Sequence, residues 1–231
     1  MFLPYSSRVS HMKRQYLGDS KDSFKWDYHH FLVEALGYSH LKIAWMMTAD
    51  DGGPDGKTAP ETFPARQEIL RLCKELRSTR DPGLLLGLPA TTDAQYTVSF
   101  HSPDEAQDGS NRPTFFSGNN ISSGQVLFLD PDNGFEPERS SSDKHLRYSD
   151  LDRLIRAISP GTVVSVFQHH RRKKFPEDFA RIRERLISGY STAIYWHSLM
   201  FVGISSSPET IQRVCEINRE YAKQRPVKVI S

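Results

Sequence analysis

Three stretches of the chain carry residue types that could do chemistry. Two are acidic, glycine-bearing loops, Asp50-Asp51-Gly52-Gly53-Pro54-Asp55-Gly56 and Asp130-Pro131-Asp132-Asn133-Gly134. Each follows a short apolar run, at 41–47 and 125–129. Glycines let backbone amides approach a ligand closely, and carboxylates there bind hydroxyls, amines or a metal ion. The same Asp-Gly and Pro-Asp pairs also form plain turns. The third stretch is Gln168-His169-His170-Arg171-Arg172-Lys173-Lys174. Consecutive cations of this kind hold phosphate, and His169 or His170 could serve as general acid or base. The spacing of these histidines is not that of a helical HExxH zinc site. His197, between two short apolar runs, reads as a hairpin residue.

A fourth segment, Gly18-Asp19-Ser20-Lys21-Asp22-Ser23-Phe24-Lys25-Trp26, is dense in charge at the start of an expected helix. Asp19 and Asp22 favour a helix N-terminus electrostatically. Lys21 and Lys25, set among aromatic residues, could approach a nucleotide.

The elements that must position these residues follow from periodicity. Phe24, Tyr28, Phe31, Leu32, Ala35 and Leu36 fall on one helical face, with Asp22 or Ser23 as cap and Gly37 as stop. The run 41–47 predicts a buried strand entering the first glycine loop. Residues 64–76 predict a second helix, with Ile69, Leu72, Cys73 and Leu76 on one side. Strands are expected at 97–100 and 114–116 around a polar loop, and the strongest strand at 125–129. A helix capped by Ser149 through 158, a strand at 162–167, a helix at 176–187, strands at 192–196 and 199–204, and a helix at 208–223 complete the pattern. Strands alternating with helices imply an α/β fold, a mostly parallel sheet covered by helices on both faces. The last two strands imply an antiparallel closing hairpin. Residues 1–15 read as a tail and 16–231 as a single domain. In such sheets ligands bind beyond the carboxyl ends of the strands, so the two acidic loops are expected to share one crevice.

Composition excludes several classes. The 231 residues carry a net charge of +2, so the chain is not globally basic. Mean hydropathy is -0.55 and no apolar run reaches the length of a membrane span. The first residues lack the apolar core of a secretion signal. Cys73 and Cys215 are the only cysteines, which excludes a disulfide framework or a CxxC zinc site and fits a reducing, cytoplasmic setting.

The order helix, strand with glycine loop, helix, strand ending in Asp-Pro, helix, strand, helix and two closing strands resembles the class I, Rossmann-like S-adenosylmethionine-dependent methyltransferases. It is most similar to the exocyclic-amine adenine methyltransferases of large-subunit ribosomal RNA and to the three-Cys-motif partner proteins. The resemblance spans residues 16–205. Residues 18–25 are similar to the segment in which Gly, Asp and Lys precede that family's first helix. Residues 47–56 stand where its cofactor loop belongs. Asp130-Pro131-Asp132-Asn133 stands where the family has Asp-Pro-Pro-Tyr, so the second proline and the base-stacking aromatic are replaced here.

The resemblance implies methyl transfer to nucleic acid with S-adenosylmethionine. Asp130, Asp132 and Asn133 would meet the target group, with His169 beside them. Asp50, Asp51, Gly52, Gly53 and Asp55 would line the cofactor pocket. Lys21, Lys25, Gln168, His170, Arg171 and Arg172, with Lys173 and Lys174, would bind the substrate. The paired acids also admit a metal-dependent nuclease or phosphoesterase, with Asp130 and Asp132 holding Mg or Mn and an acid of the first loop completing the set. A third reading is a non-catalytic binding module on the same fold.

Overall fold

The structure is a computed structural model and describes residues 17–46, 58–101, 116–117, 121–139 and 141–231. The first acidic loop, residues 50–56, lies outside the described residues, and so do Thr114 and Phe115. The elements in chain order are α1 (Ser20–Leu36), β1 (His40–Met46), α2 (Gln67–Thr79), β2 (Thr97–Phe100), β3 (Gln125–Pro131), α3 (Tyr148–Ala157), β4 (Val163–His169), α4 (Phe175–Arg185), β5 (Tyr190–Trp196), β6 (Leu199–Ser205), α5 (Pro208–Gln224) and β7 (Lys228–Ile230).

The apolar run of β3 sits inside the sheet, with Val126 to Leu129 all buried. A strand covered on both faces needs such a run, because neither side of the pleat meets water. The sheet order is β2-β1-β3-β4-β6-β5-β7. The first four strands are mutually parallel, and β6, β5 and β7 add antiparallel pairs. The closing hairpin is inserted: its second strand, β6, pairs with β4, and β5 lies outside it. Residues 228–230, which carried no expected element, form the short edge strand β7 against β5.

Alternate side chains divide the core. Leu41, Ile43, Val126 and Phe128 face one cluster with α1, α2 and α5. Ala44, Met46, Leu127 and Leu129 face a second cluster with α3 and α4. Helices therefore cover both faces, as the alternation of elements implied.

Helix α1 is buried on almost every side, so its apolar residues do not form a single stripe. Its polar side chains are instead paired internally. Asp27, fully buried, accepts from the Arg66 amide at 2.9 Å, the Tyr221 hydroxyl at 2.8 Å and Arg225 Nε at 2.9 Å. Tyr28 donates to Asn218 Oδ1 at 2.9 Å. These bonds tie α1 to α5 and to the residue that opens α2.

Several boundaries differ from expectation for local reasons. Asp19, not Asp22 or Ser23, caps α1. Helix α2 starts at Gln67, because residues 60–66 form a 3-10 turn and an extended lead-in. Arg147, not Ser149, occupies the cap position of α3. Phe116, expected in a strand, is buried in a turn. Among the described residues no helix is long and apolar enough to cross a membrane.

Candidate functional site

The site is built where α1 begins and β3 ends. Gly18 has φ +76°, and a Cβ there would collide with the Cys73 carbonyl, so only glycine suits the approach. The Asp19 carboxylate then accepts the amides of Lys21 at 2.8 Å and Asp22 at 3.1 Å. Asp22 reaches back to the Gly18 amide at 2.8 Å. This reciprocal cap fixes the first turn of α1. Burial, and then the neighbouring Asp22 charge, push the Asp19 carboxyl up to about 6.

One turn later, Lys25 projects toward the sheet. Its Nζ lies 2.8 Å from Asp130 Oδ2 and 3.2 Å from Asp22 Oδ1. The ammonium also sits 5.3 Å from the Phe167 ring, 5.5 Å from Trp26 and 5.8 Å from Phe128. Burial works against this charge, but Asp130 and Asp22 outweigh it and hold the lysine above its ordinary value. For Asp130, burial raises the carboxyl and the Lys25 ammonium opposes that rise. Asp130 keeps 15% of its side-chain exposure, so the group can be reached from solvent. Its second oxygen, Oδ1, takes no hydrogen bond among the described residues.

Asp130 and the first loop belong to neighbouring strands. Trp45 pairs with Asp130 and Met46 with Pro131 in parallel register. From β1 the chain goes to β2 on one side, and from β3 to β4 on the other. The connections that leave the two strands therefore run in opposite directions at their carboxyl ends, which is the topological switch point where such sheets bind ligands. The chain leaves β1 at Met46 and is described again at Thr58, whose hydroxyl accepts from Ser20 at 2.9 Å. The far end of the stretch holding Asp50, Asp51, Gly52, Gly53 and Asp55 thus lies beside the start of α1, while those five residues lie outside the described ones.

The turn after β3 is held from β4. Gly134 has φ +74°, and a Cβ would strike Gln168 Oε1. That oxygen accepts the Phe135 amide at 2.8 Å, and Gln168 Nε2 donates to the His169 carbonyl at 2.7 Å. Gln168 is fully buried. Its place is therefore under the turn, supporting it, and not on the surface that a substrate would touch. Arg171 is spent similarly, donating to the Phe135 carbonyl at 2.8 Å and pairing with Asp178 at 3.3 Å. Within the turn, Asn133 is exposed and Asp132 half-buried.

His170, Arg172, Lys173 and Lys174 are exposed beyond β4. Arg172, Lys173 and Lys174 make no ion pair among the described residues. His169 is half-buried with its ring edge-on to Phe167 at 4.5 Å. Lys21 is half-buried on the first turn of α1. His197 has φ +48° in the exposed β5–β6 turn, the hairpin role expected of it. Among the described residues no group of three His, Cys, Asp or Glu side chains is placed to hold a metal. The Lys25 ammonium supplies the positive charge between Asp22 and Asp130.

Two participants escaped sequence reasoning: His29 and Ser165. His29 Nδ1 faces the Lys25 carbonyl at 2.7 Å, and Nε2 lies 2.8 Å from Ser165 Oγ. A carbonyl only accepts, so Nδ1 carries the proton and Nε2 accepts from Ser165. Burial lowers this histidine to about 3, so it stays neutral. Trp26 Nε1 is buried beside Lys25 without a hydrogen-bond partner among the described residues. A sequence signal existed for one further contact: Asp22 and Lys25 stand three residues apart on one helix.

No protein-family model matches the chain, and no curated protein matches it either.

Proposed function

We propose that the chain is a methyltransferase-like enzyme that acts on nucleic acid and uses S-adenosylmethionine. The observation that carries this reading is Asp130 itself. It stands at the end of β3 at the topological switch point, with Oδ2 fixed by Lys25 and Oδ1 unengaged among the described residues. A carboxylate fixed in this way can accept a hydrogen bond from an amine and hold it in one direction. The parallel strands closed by an antiparallel pair fit the same reading.

S-adenosylmethionine, when bound, supplies an electrophilic methyl group. The loop of residues 50–56 is the segment to hold it. The buried Trp26 Nε1, beside Lys25, is a leftover donor. The chain's own part is mainly positioning, since a methyl donor and a nucleophile held in line need little covalent help. Lys25 keeps Asp130 oriented and opposes the rise that burial imposes on its carboxyl, and exposed Asn133 adds a second polar contact. His170, Arg172, Lys173 and Lys174 offer cations to a phosphate backbone alongside.

Calorimetric titration with S-adenosylmethionine in EDTA tests the cofactor, and transfer of a labelled methyl group to RNA or DNA tests the reaction. The expected result is micromolar binding, with Asp130→Asn losing transfer while still binding the cofactor. Absence of binding, with a magnesium-dependent activity lost in Asp132→Asn, would replace this reading by phosphoester chemistry. Absence of both, with nucleic-acid binding retained, would leave a binding module.

A further inference from the structure

The sheet ends on one side in an edge that is half covered. Strand β7 pairs with β5 at Ala193, Ile194 and Tyr195. The residues just before them, Tyr190, Ser191 and Thr192, pair with Ser205, Ile204 and Gly203 of β6 on their inner side. On their outer side they pair with no strand among the described residues. A strand edge of this kind presents unpaired backbone N–H and C=O groups, a template for one more strand.

A cavity of about 450 Å³ lies against that half of β5. Its walls show where it runs. Ile211, Cys215 and Arg219 come from α5, which covers one face of the sheet, and Arg183 comes from α4, which covers the other. The cavity therefore sits between the two helical layers, level with the sheet, where a further strand would lie. Ser191 Oγ, also on its wall, is shut off from water and has no hydrogen-bond partner among the described residues. A side chain on an added strand would bring it one. Ile187 and Tyr190, at the same end of β5, are two of the three large apolar side chains left exposed among the described residues. The rim carries more positive than negative charge. Arg183 rests 5.9 Å from the Phe179 ring, and Arg219 donates to the Ser231 hydroxyl at 3.3 Å. Neither makes an ion pair among the described residues. Glu216, which accepts from Gln212 at 3.4 Å, is the one acid of the described lining.

We infer that an extended segment of a partner protein adds here as a strand antiparallel to β5, its acidic side chains meeting Arg183 and Arg219 and its apolar ones the wall of Ile211 and Cys215. A second copy of this chain fits less well, because a two-fold contact would set the same excess of arginine against itself. Nothing in this inference depends on the proposed methyl transfer, since β4 and β6 stand between β5 and the strand that carries Asp130.

The test is an NMR titration of the full-length chain with the synthetic peptide acetyl-Glu-Val-Glu-Val-Glu-Val-amide, to about 1 mM, ten times a Kd of about 0.1 mM. Saturable shifts at the Tyr190, Ser191 and Thr192 amides are expected, with slower hydrogen exchange in this half of β5. Arg183→Glu, at an exposed position, should weaken binding about tenfold, the loss of one charge-assisted contact, and should admit the Lys-Val counterpart that the parent chain does not bind. The acidic peptide methylated on every backbone nitrogen keeps its charge but cannot donate to a strand, so it should not bind. Asp130→Asn should leave binding unchanged. Absence of saturable shifts, equal affinity of the methylated peptide, equal affinity in Arg183→Glu, or loss of binding in Asp130→Asn would overturn the inference. Concentration-dependent sedimentation of the free chain, with the same amides already protected, would overturn it in favour of a second copy.

Discussion

Lys25 Nζ and Asp130 Oδ2 lie 2.8 Å apart across 105 residues of chain, joining the second turn of the first helix to the end of the third strand. The pair, with Asp22 on its other side, is almost out of water. Removing one partner of a buried ion pair leaves the other charge uncompensated, typically costing about 3–5 kcal/mol. Lys25→Met should therefore destabilise the fold by that amount near neutral pH. The loss should shrink as pH falls, because burial raises the Asp130 carboxyl and lets it take up a proton. Adding Asp130→Asn should recover part of it, as a double-mutant cycle in urea would show. A loss independent of pH and of Asp130 would assign the effect to packing of the lysine stem.

The turn that presents Asp132 and Asn133 depends on a residue with no surface of its own. Gln168→Leu keeps the volume but removes the acceptor of the Phe135 amide. A buried amide left without its bond costs about 1–3 kcal/mol. The Phe135 amide should also exchange its hydrogen faster than its neighbours. If the Phe135 amide stays protected in this variant, Gln168 does not hold the turn.

Asp19 and His29 should give opposite pH dependences. The Asp19 carboxyl rises from 3.8 to about 6 in the folded chain. Between those values the folded chain keeps a proton that the unfolded chain has released, so this contribution to stability falls as pH rises. Asp19→Asn keeps a good cap. It should be at least as stable as the parent near neutral pH, with the difference closing toward 3.8. His29 falls from 6.5 to about 3. There the unfolded chain binds the proton first, so stability is lost as pH falls through that window. His29→Gln should flatten the acid limb of a stability–pH curve by the equivalent of a single proton. An unchanged limb would place the acid sensitivity elsewhere.

What was legible in the sequence was whatever is local. The run Val126 to Leu129 announced a strand buried on both faces, and the Asp-Pro after it announced a loop at its end. The alternation of strands and helices announced an α/β sheet with both faces covered. The Lys25–Asp130 pairing was not legible, because no periodicity links positions so far apart. The helix cap was misplaced to Asp22 or Ser23 because four Asp and Ser residues, any of which can cap, stand within 19–23, and in the fold it is the Asp19 carboxylate that accepts the Lys21 and Asp22 amides. Gln168 and Arg171 sat in a polar run, so they looked like surface residues. Strand pleat and the returning turn carry both into structural roles. Strand β7 was missed because three residues are too short a run to show a period.

The remaining cations of that run are the ones left for a partner. Arg172, Lys173 and Lys174 are exposed, follow the strand beside Asp130, and make no ion pair among the described residues. Replacing all three by Gln should leave thermal stability almost unchanged, since exposed charges contribute little to folding. The same replacement should weaken binding to a nucleic-acid duplex, uniformly across sequences. For every phosphate no longer neutralised, the slope of log K against log salt becomes shallower by about 0.9. Arg171→Gln should behave differently, because its guanidinium holds the Phe135 carbonyl and Asp178. It should lower stability without the matching change in salt slope. Filter binding across a salt series, with thermal melts of the same variants, separates the two behaviours. An unchanged salt slope in the triple variant would remove this loop from the proposed nucleic-acid surface.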